Sequence, residues 1–242
     1  MPTTTGALLN AIGILLGSLV GLARQTPFSL RTQLLLRNAI GAFNFLFGVR
    51  LIYLSIGGTF LSCLKQIFIA MLAAVLGFWA GKLLRFQKMS NHLGHLAGNV
   101  IVTAQKKTGQ NAADGLNACA ILFCAAPLGL IGAVTDGLSG YFYLLAVKAV
   151  MDALAMTGFV RLFRWPSALS AIPVFVFFSA ISMAVQFYVT PYLSPSELNS
   201  VNATAGLLAC VVTIVIFEIR KVALANYLPA LAIAPLLTKL MN

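Results

Sequence analysis

The chain has 242 residues, of which 60% are hydrophobic and only 9% are charged, and its mean hydropathy is +0.95. Roughly a quarter of the residues in an ordinary soluble domain are charged, so this composition excludes a soluble globular protein. Sixteen basic residues against five acidic ones give a net charge of +11. In so apolar a chain, this excess indicates Lys and Arg in loops that flank membrane spans, not a nucleic-acid-binding face.

Eight apolar stretches are each about long enough for a helix to cross the hydrocarbon core, which takes about 20 residues. In chain order they cover residues 6–23, 36–56, 61–84, 115–134, 140–160, 167–189, 198–217 and 222–240. The sequence Thr135-Asp136-Gly137-Leu138-Ser139-Gly140 is typical of a turn and separates the fourth stretch from the fifth. If these two stretches formed one span instead, the chain would have seven crossings. We predict an all-α polytopic membrane protein of about eight transmembrane helices, with residues 1–242 in a single integral membrane domain.

The distribution of basic residues predicts the threading of these spans. If both termini lie outside, twelve of the sixteen Lys and Arg residues fall in inner loops or at inner span ends. A chain of seven spans would invert the basic loops beyond the merged region. The N-terminus lacks the basic region of a secretory signal, so residues 6–23 are interpreted as a retained first span.

Residues 86–114 form the long loop of this arrangement, on the inner side. Apolar residues recur among polar ones in this loop, at Leu93, Leu96, Val100 and Ile101. Such a segment is predicted to lie on the membrane surface as an interfacial amphipathic helix.

The sequence also contains a weak internal repeat. Asn10-Ala11-Ile12-Gly13 recurs as Asn38-Ala39-Ile40-Gly41, and spans 1–3 are expected to run in directions opposite to those of spans 6–8. This pattern predicts an inverted repeat around a central pair of spans, as in many transporters. Chance recurrence in a chain rich in Ala, Gly and Ile, and a parallel repeat of four plus four spans, are the alternatives.

Two charged residues lie inside the fifth predicted span. Lys148 and Asp152 are four residues apart and therefore share one helical face. A charge at this depth is costly unless it is paired or hydrated. The pair is interpreted either as part of a solute or ion site or as a structural pair that fixes helix packing.

Polar side chains form stripes on the next two spans, with Ser182 and Gln186 on the sixth and Asn202 and Thr213 on the seventh. Such stripes line an aqueous path or hold helices together through hydrogen bonds. We predict that they form a substrate or ion path with Lys148 and Asp152.

Gly13, Gly17 and Gly21 form a ridge of small residues along the first span. Ridges of this kind allow two helices to approach closely. The ridge is predicted to pack against another helix, and a homo-oligomer could form through it.

The sequence carries no motif of a known catalytic site, so the protein is predicted not to be an enzyme. The two histidines, His92 and His95, lack further ligands nearby. The cysteines show no metal-ligand spacing. No metal and no other cofactor is expected.

The chain resembles the YqgA-like family (DUF554) of uncharacterised bacterial inner-membrane proteins over residues 6–236. The resemblance is carried by the Leu9-Asn10-Ala11 segment with the glycines after it, by Leu122-Phe123-Cys124 through Asp136-Gly137-Leu138, and by the segments over 146–152 and 225–231. It implies a multi-pass protein of the bacterial inner (plasma) membrane. It also adds Asn226, in the Asn226-Tyr227-Leu228-Pro229-Ala230 run, to the predicted path, but it implies no activity.

We therefore predict a small-solute or ion transporter or channel of the plasma membrane, with both termini outside. The expected partners are the lipid bilayer, an unidentified solute or ion and further copies of the chain, and no nucleic acid. The alternative is a non-transporting membrane scaffold or sensor, in which the polar stripes only join helices.

Overall fold

A computed structural model of the protein describes residues 4–24, 26–106 and 112–241. These residues are mostly helical and contain no β-strand. In chain order the α-helices are α1 (Thr5–Ala23), α2 (Leu30–Ser55), α3 (Phe60–Leu83), α4 (Phe86–Lys106), α5 (Ala112–Cys124), α6 (Pro127–Ser139), α7 (Tyr143–Phe163), α8 (Ala171–Tyr188), α9 (Pro195–Ile216) and α10 (Ala230–Met241). Short 3-10 segments cover Trp165–Ser170, Thr190–Tyr192 and Leu224–Tyr227. The predicted all-α fold is confirmed.

Seven helical stretches of the described residues are long and apolar enough to span a membrane, and α5 with α6 makes an eighth if this pair is one span. The pair is bent by 63° where the two helices meet. The predicted fourth span is therefore broken and not a straight helix over 115–134. Proline causes this break: Pro127 has no N–H to continue α5 and occupies the first turn of α6.

Contacts between helix ends show the direction of α1 and α7. Gly6 lies against Leu145 near the start of α7, and Gly21 lies against Thr157 near its end. The two helices therefore run parallel, and the start of α1 shares one end of the bundle with the start of α7.

The broken pair connects opposite ends of the bundle. In α5, Gly115 lies against Phe163 at the end of α7. In α6, Asp136 accepts a hydrogen bond from the backbone N–H of Gly6 at 3.0 Å, at the start of α1. Since α5 begins at one end and α6 finishes at the other, the two half-helices together run the length of the bundle, which favours one crossing over a re-entrant loop.

The start of α3 and the end of α10 lie at the end of the bundle where α1 starts. Lys65, near the start of α3, donates to the backbone carbonyl of Met241 at 2.6 Å. We call this end the terminal end, and the opposite end the basic end. The basic end holds the residues at or near the inner ends of the predicted spans, namely Arg24, Arg31, Arg37, Lys82, Arg85, Lys88, Arg161, Arg164, Arg220 and Lys221.

The turn between α6 and α7 comes later than predicted. α6 continues through Thr135 and Asp136 to Ser139, and Gly140 ends it in a left-handed conformation (φ +68°) that suits glycine. Tyr141 then donates to the carbonyl of Phe47 at 2.7 Å. Burial raises the pKa of Tyr141 to about 12.

The glycine ridge of α1 packs within the chain. Gly13 and Gly17 lie against the backbone of Ala149 and Ala153 on α7. The opposite face of α1 is apolar and exposed, with Leu15 and Leu19 about half exposed or more. The ridge is thus covered by α7 and is not available to a second copy, so the predicted homo-oligomer would need another surface.

Residues 86–114 are largely helical. α4 occupies 86–106 and is strongly amphipathic. Ala97 is fully buried in the core cluster that also contains Ala118 and Cys119 of α5. Residues 107–111 lie outside the described part. Placement of α4 at the membrane surface remains a prediction.

Candidate functional site

The charged pair of α7 is buried in the bundle. Lys148 donates to the carboxylate of Asp152, one helical turn further along. The side chain of Lys148 is 2% exposed and that of Asp152 is 9% exposed. In this conformation the two charges therefore neutralise one another away from water, which offsets part of the cost of burying them.

Aromatic rings complete the surroundings of the ammonium group. The Nζ atom of Lys148 lies 5.7 Å from the ring centroid of Phe123 and 5.4 Å from that of Phe178. Both distances are within the range of cation–π attraction. The stem of Lys148 passes so close to Gly129 that a Cβ there would meet its Cε at 2.6 Å.

The break between α5 and α6 adjoins the pair. Phe123 belongs to the last turn of α5 and Gly129 to the first turn of α6, and both contact Lys148. A broken helix exposes backbone N–H and C=O groups that an intact helix would pair internally. The ion pair is thus located beside the one discontinuous span in the described part of the chain.

Asn10 of α1 is another polar residue beside the pair. Its side chain is fully buried and faces the Asp152 carboxylate. It makes no hydrogen bond of normal geometry there, and neither the Nδ2 nor the Oδ1 atom has a partner by that criterion among the described residues. Since buried amides are normally hydrogen-bonded, Asn10 presents an unused donor and acceptor at the ion pair.

Asn10 was not among the site residues predicted from the sequence. The available signal was the position of an Asn within an apolar span, one turn before the glycine ridge. That signal was weak, because only the packing of α1 on α7 places Asn10 opposite Asp152.

The predicted stripe residues are paired elsewhere. Ser182 donates to the carbonyl of Ala133 at 2.9 Å. The Oδ1 atom of Asn202 accepts from Ser139 at 3.4 Å. These bonds join α8 and α9 to α6, and in the described structure none links Ser182 or Asn202 to the ion pair.

Thr213 has a similar role between α9 and α2. Its Oγ1 atom accepts from the Nδ2 of Asn44 at 3.0 Å, and the same Nδ2 also donates to the carbonyl of Ala209 at 2.7 Å. Asn44 is fully buried. Thr213 thus holds two helices together and is not in hydrogen-bond contact with Lys148 or Asp152. Gln186 is half-buried on α8.

Asn226 lies at the basic end. Its Oδ1 atom accepts from the backbone N–H of Gln87 at 3.0 Å, and the Oε1 atom of Gln87 accepts from the N–H of Ala225 at 3.2 Å. This reciprocal pair joins the start of α4 to the segment Leu224–Tyr227. Gln186 apart, the hydrogen bonds and ion pairs of the described residues bring only Lys148 and Asp152 of the predicted site residues into direct contact.

Asp136 has a structural role that the sequence did not reveal. It is buried and accepts from the N–H of Gly6, one of the free donors in the first turn of α1. The sequence around Asp136 indicated only a turn, but the group that Asp136 binds is 130 residues away.

A family model described as a protein of unknown function (DUF554) matches residues 5–239. The chain is 25% identical over 232 residues to the uncharacterized protein YqgA of Escherichia coli (strain K12), covering 95% of this chain and 94% of that protein. It is 24% identical over 230 residues to the uncharacterized membrane protein YdfK of Bacillus subtilis (strain 168), covering 95% of this chain and 93% of that one. No solved structure matches the chain.

Proposed function

We propose that this chain, which belongs to the DUF554 family, moves a small solute or ion across the bacterial plasma membrane and is not an enzyme. One observation carries the proposal: the buried pair of Lys148 and Asp152 lies beside the break between α5 and α6, with the unpartnered amide of Asn10 facing it. Intramembrane ionisable residues are commonly functional, and broken helices commonly surround transported ligands.

The arrangement supports a specific mechanism. A charged ligand that reaches the pair can replace one partner of the Lys148–Asp152 bond, provided that the displaced partner gains or loses a proton or pairs with a second, opposite charge on the ligand. Asn10 supplies a donor and an acceptor for the ligand or its water. The half-helices meeting at Pro127 can change their angle more easily than a continuous helix, because no backbone hydrogen bond from Pro127 crosses the break.

The order of the helices is compatible with the predicted inverted repeat. α1 packs on α8, α2 on α9 and α3 on α10, and the two sets of three run in opposite directions. Each helix thus contacts the helix that would be its counterpart in the repeat. This supports an arrangement with an axis in the membrane plane, and the repeat itself remains our proposal.

Thiol accessibility tests the transport proposal. In a variant with all four native cysteines replaced, Asn10→Cys should react with a membrane-impermeant methanethiosulfonate reagent, because a transport path must be hydrated in some state. Leu16→Cys is the matched control, since it lies on the same helix and is 55% exposed on the apolar face. It should stay inert in proteoliposomes.

A different result would favour the second candidate function, a non-transporting scaffold or sensor. The pairing of Ser182, Asn202 and Thr213 between helices is the observation that favours it. If Asn10→Cys is as inert as Leu16→Cys under every condition tried, the ion pair is a structural pair and the scaffold function replaces transport.

The orientation is tested separately. We propose that the terminal end faces outward and the basic end faces the cytoplasm, because Lys and Arg flanking membrane spans are retained inside. In whole cells, Pro195→Cys should react with the impermeant reagent. Lys88→Cys, which is exposed at the basic end, should react only after permeabilisation. Reaction of both in intact cells, or the reverse order, would contradict this orientation.

A further inference from the structure

A second site is located at the basic end, away from the ion pair. A cavity of about 530 Å³ opens there between α2 and α7. Its inner wall is apolar and includes Leu34, Ile40, Met151 and Leu154, and its rim carries charged side chains. The charged residues of the rim are Arg37, Arg161 and Glu218.

The two arginines have unused donors. Arg37 pairs with the Glu218 carboxylate at 2.5 Å, and Arg161 donates through Nη2 to the carbonyl of Thr26 at 2.5 Å. The Nε atom of each arginine is buried and has no hydrogen-bond partner among the residues that the structure describes. A buried N–H without an acceptor is costly, so this geometry favours a further oxyanion at the rim.

Glu218 holds the position that such an anion would take. It lies two residues after the end of α9 in a left-handed backbone conformation (φ +57°), and its side chain is 70% exposed. The carboxylate can therefore move into water without losing buried contacts. Another anion can then replace it at Arg37.

We propose that this cavity binds an amphiphilic oxyanion. Its phosphate or carboxylate head would lie between Arg37 and Arg161 in place of Glu218, and its apolar chain would extend along the wall toward Ile40 and Met151. The chemistry is shared by an anionic phospholipid of the bilayer and by a water-borne alkyl phosphate. The site uses none of the residues of the ion pair, so it stands or fails independently of the transport proposal.

Binding of dodecyl phosphate to the purified full-length chain in neutral detergent tests the site. Arg37→Gln and Arg161→Gln should each weaken binding about tenfold, since each removes a charged donor from the anion. Arg31→Gln is the matched control, because Arg31 is exposed on the same helix and outside the cavity. It should bind as the native chain does. Glu218→Gln should bind more tightly, because the competing carboxylate loses its charge.

Further probes distinguish a bilayer lipid from a water-borne ligand, and the contribution of the charged head from that of the apolar chain. Inorganic phosphate and uncharged dodecanol should each bind at least about tenfold more weakly than dodecyl phosphate. In nanodiscs, native mass spectrometry should show phosphatidylglycerol retained over phosphatidylcholine if the bilayer supplies the ligand. Absence of that preference, together with binding of dodecyl phosphate, would identify a water-borne ligand.

Several results would overturn the proposal. The first is equal affinity for dodecyl phosphate in Arg37→Gln, Arg161→Gln and Arg31→Gln. The second is binding of dodecanol as tight as that of dodecyl phosphate. The third is failure of both dodecyl phosphate and phosphatidylglycerol to bind. The thermal midpoint of each variant without ligand shows whether it is folded. If an arginine variant is unfolded, weaker or unchanged binding by Glu218→Gln overturns the proposal by itself.

Discussion

Lys148→Met should lower the free energy of unfolding by about 3 to 5 kcal/mol, because it leaves the Asp152 carboxylate buried without its counter-ion. The double change of Lys148→Met with Asp152→Leu should be much milder, since replacing both partners of a buried pair with apolar groups is often neutral or stabilising. The measurement is a double-mutant cycle: reversible unfolding of the purified chain in detergent is followed for the native chain, both single variants and the double variant.

Lys88→Met is the control for this cycle. Lys88 is an exposed residue of α4, and surface changes of this kind stay within about 0.5 kcal/mol. If the effects of Lys148→Met and Asp152→Leu simply add, the two residues do not act as a pair. The mechanism proposed for ligand exchange would then lose its basis.

Gly17→Ala should destabilise the chain by about 1 to 3 kcal/mol, the usual cost of overpacking a tight contact. A Cβ at Gly17 would lie 2.7 Å from the Cα of Ala153 and 2.8 Å from its carbonyl carbon. These are backbone atoms, so α1 and α7 would have to move apart along their whole contact. The same unfolding measurement detects the loss.

The matched control is a glycine on the partner helix. Gly158 of α7 has open space where a Cβ would go, so Gly158→Ala should be neutral or stabilise by up to about 1 kcal/mol through helix propensity. Equal destabilisation by the two alanine changes, or none by Gly17→Ala, would show that the contact between α1 and α7 is looser than the structure indicates.

The apolar sequence alone determined where the chain is helical and long enough to cross a membrane. Predicted spans such as 6–23 and 198–217 agree with α1 and α9 to within a few residues. This succeeds because every backbone N–H and C=O in a bilayer must be paired within the segment, which leaves the helix as the solution for each long apolar run. The clustering of basic residues at one end of the bundle also followed from the sequence. The positions of Lys and Arg along the chain and the number of crossings together decide at which end each basic residue lies.

The candidate site was only partly predictable. Lys148 and Asp152 are four residues apart on one helix, so their contact followed from helical geometry. For Ser182, Asn202 and Thr213, helical periodicity identified the polar face but not the neighbouring helix. In the structure their hydrogen bonds join α8 and α9 to α6 and α2.

Tertiary structure decided which helices meet, and the partners of the polar residues depend on that choice. The glycines of α1 could equally face a second copy or the same chain, and they face α7. Pro127 could have kinked a helix, but it ends α5 and begins α6 beside Lys148. Asp136 caps a helix 130 residues earlier, and Asn10 lies opposite Asp152 only because α1 and α7 run parallel. Such pairings are set by the complementarity of whole helix surfaces, which residue spacing within one helix does not encode.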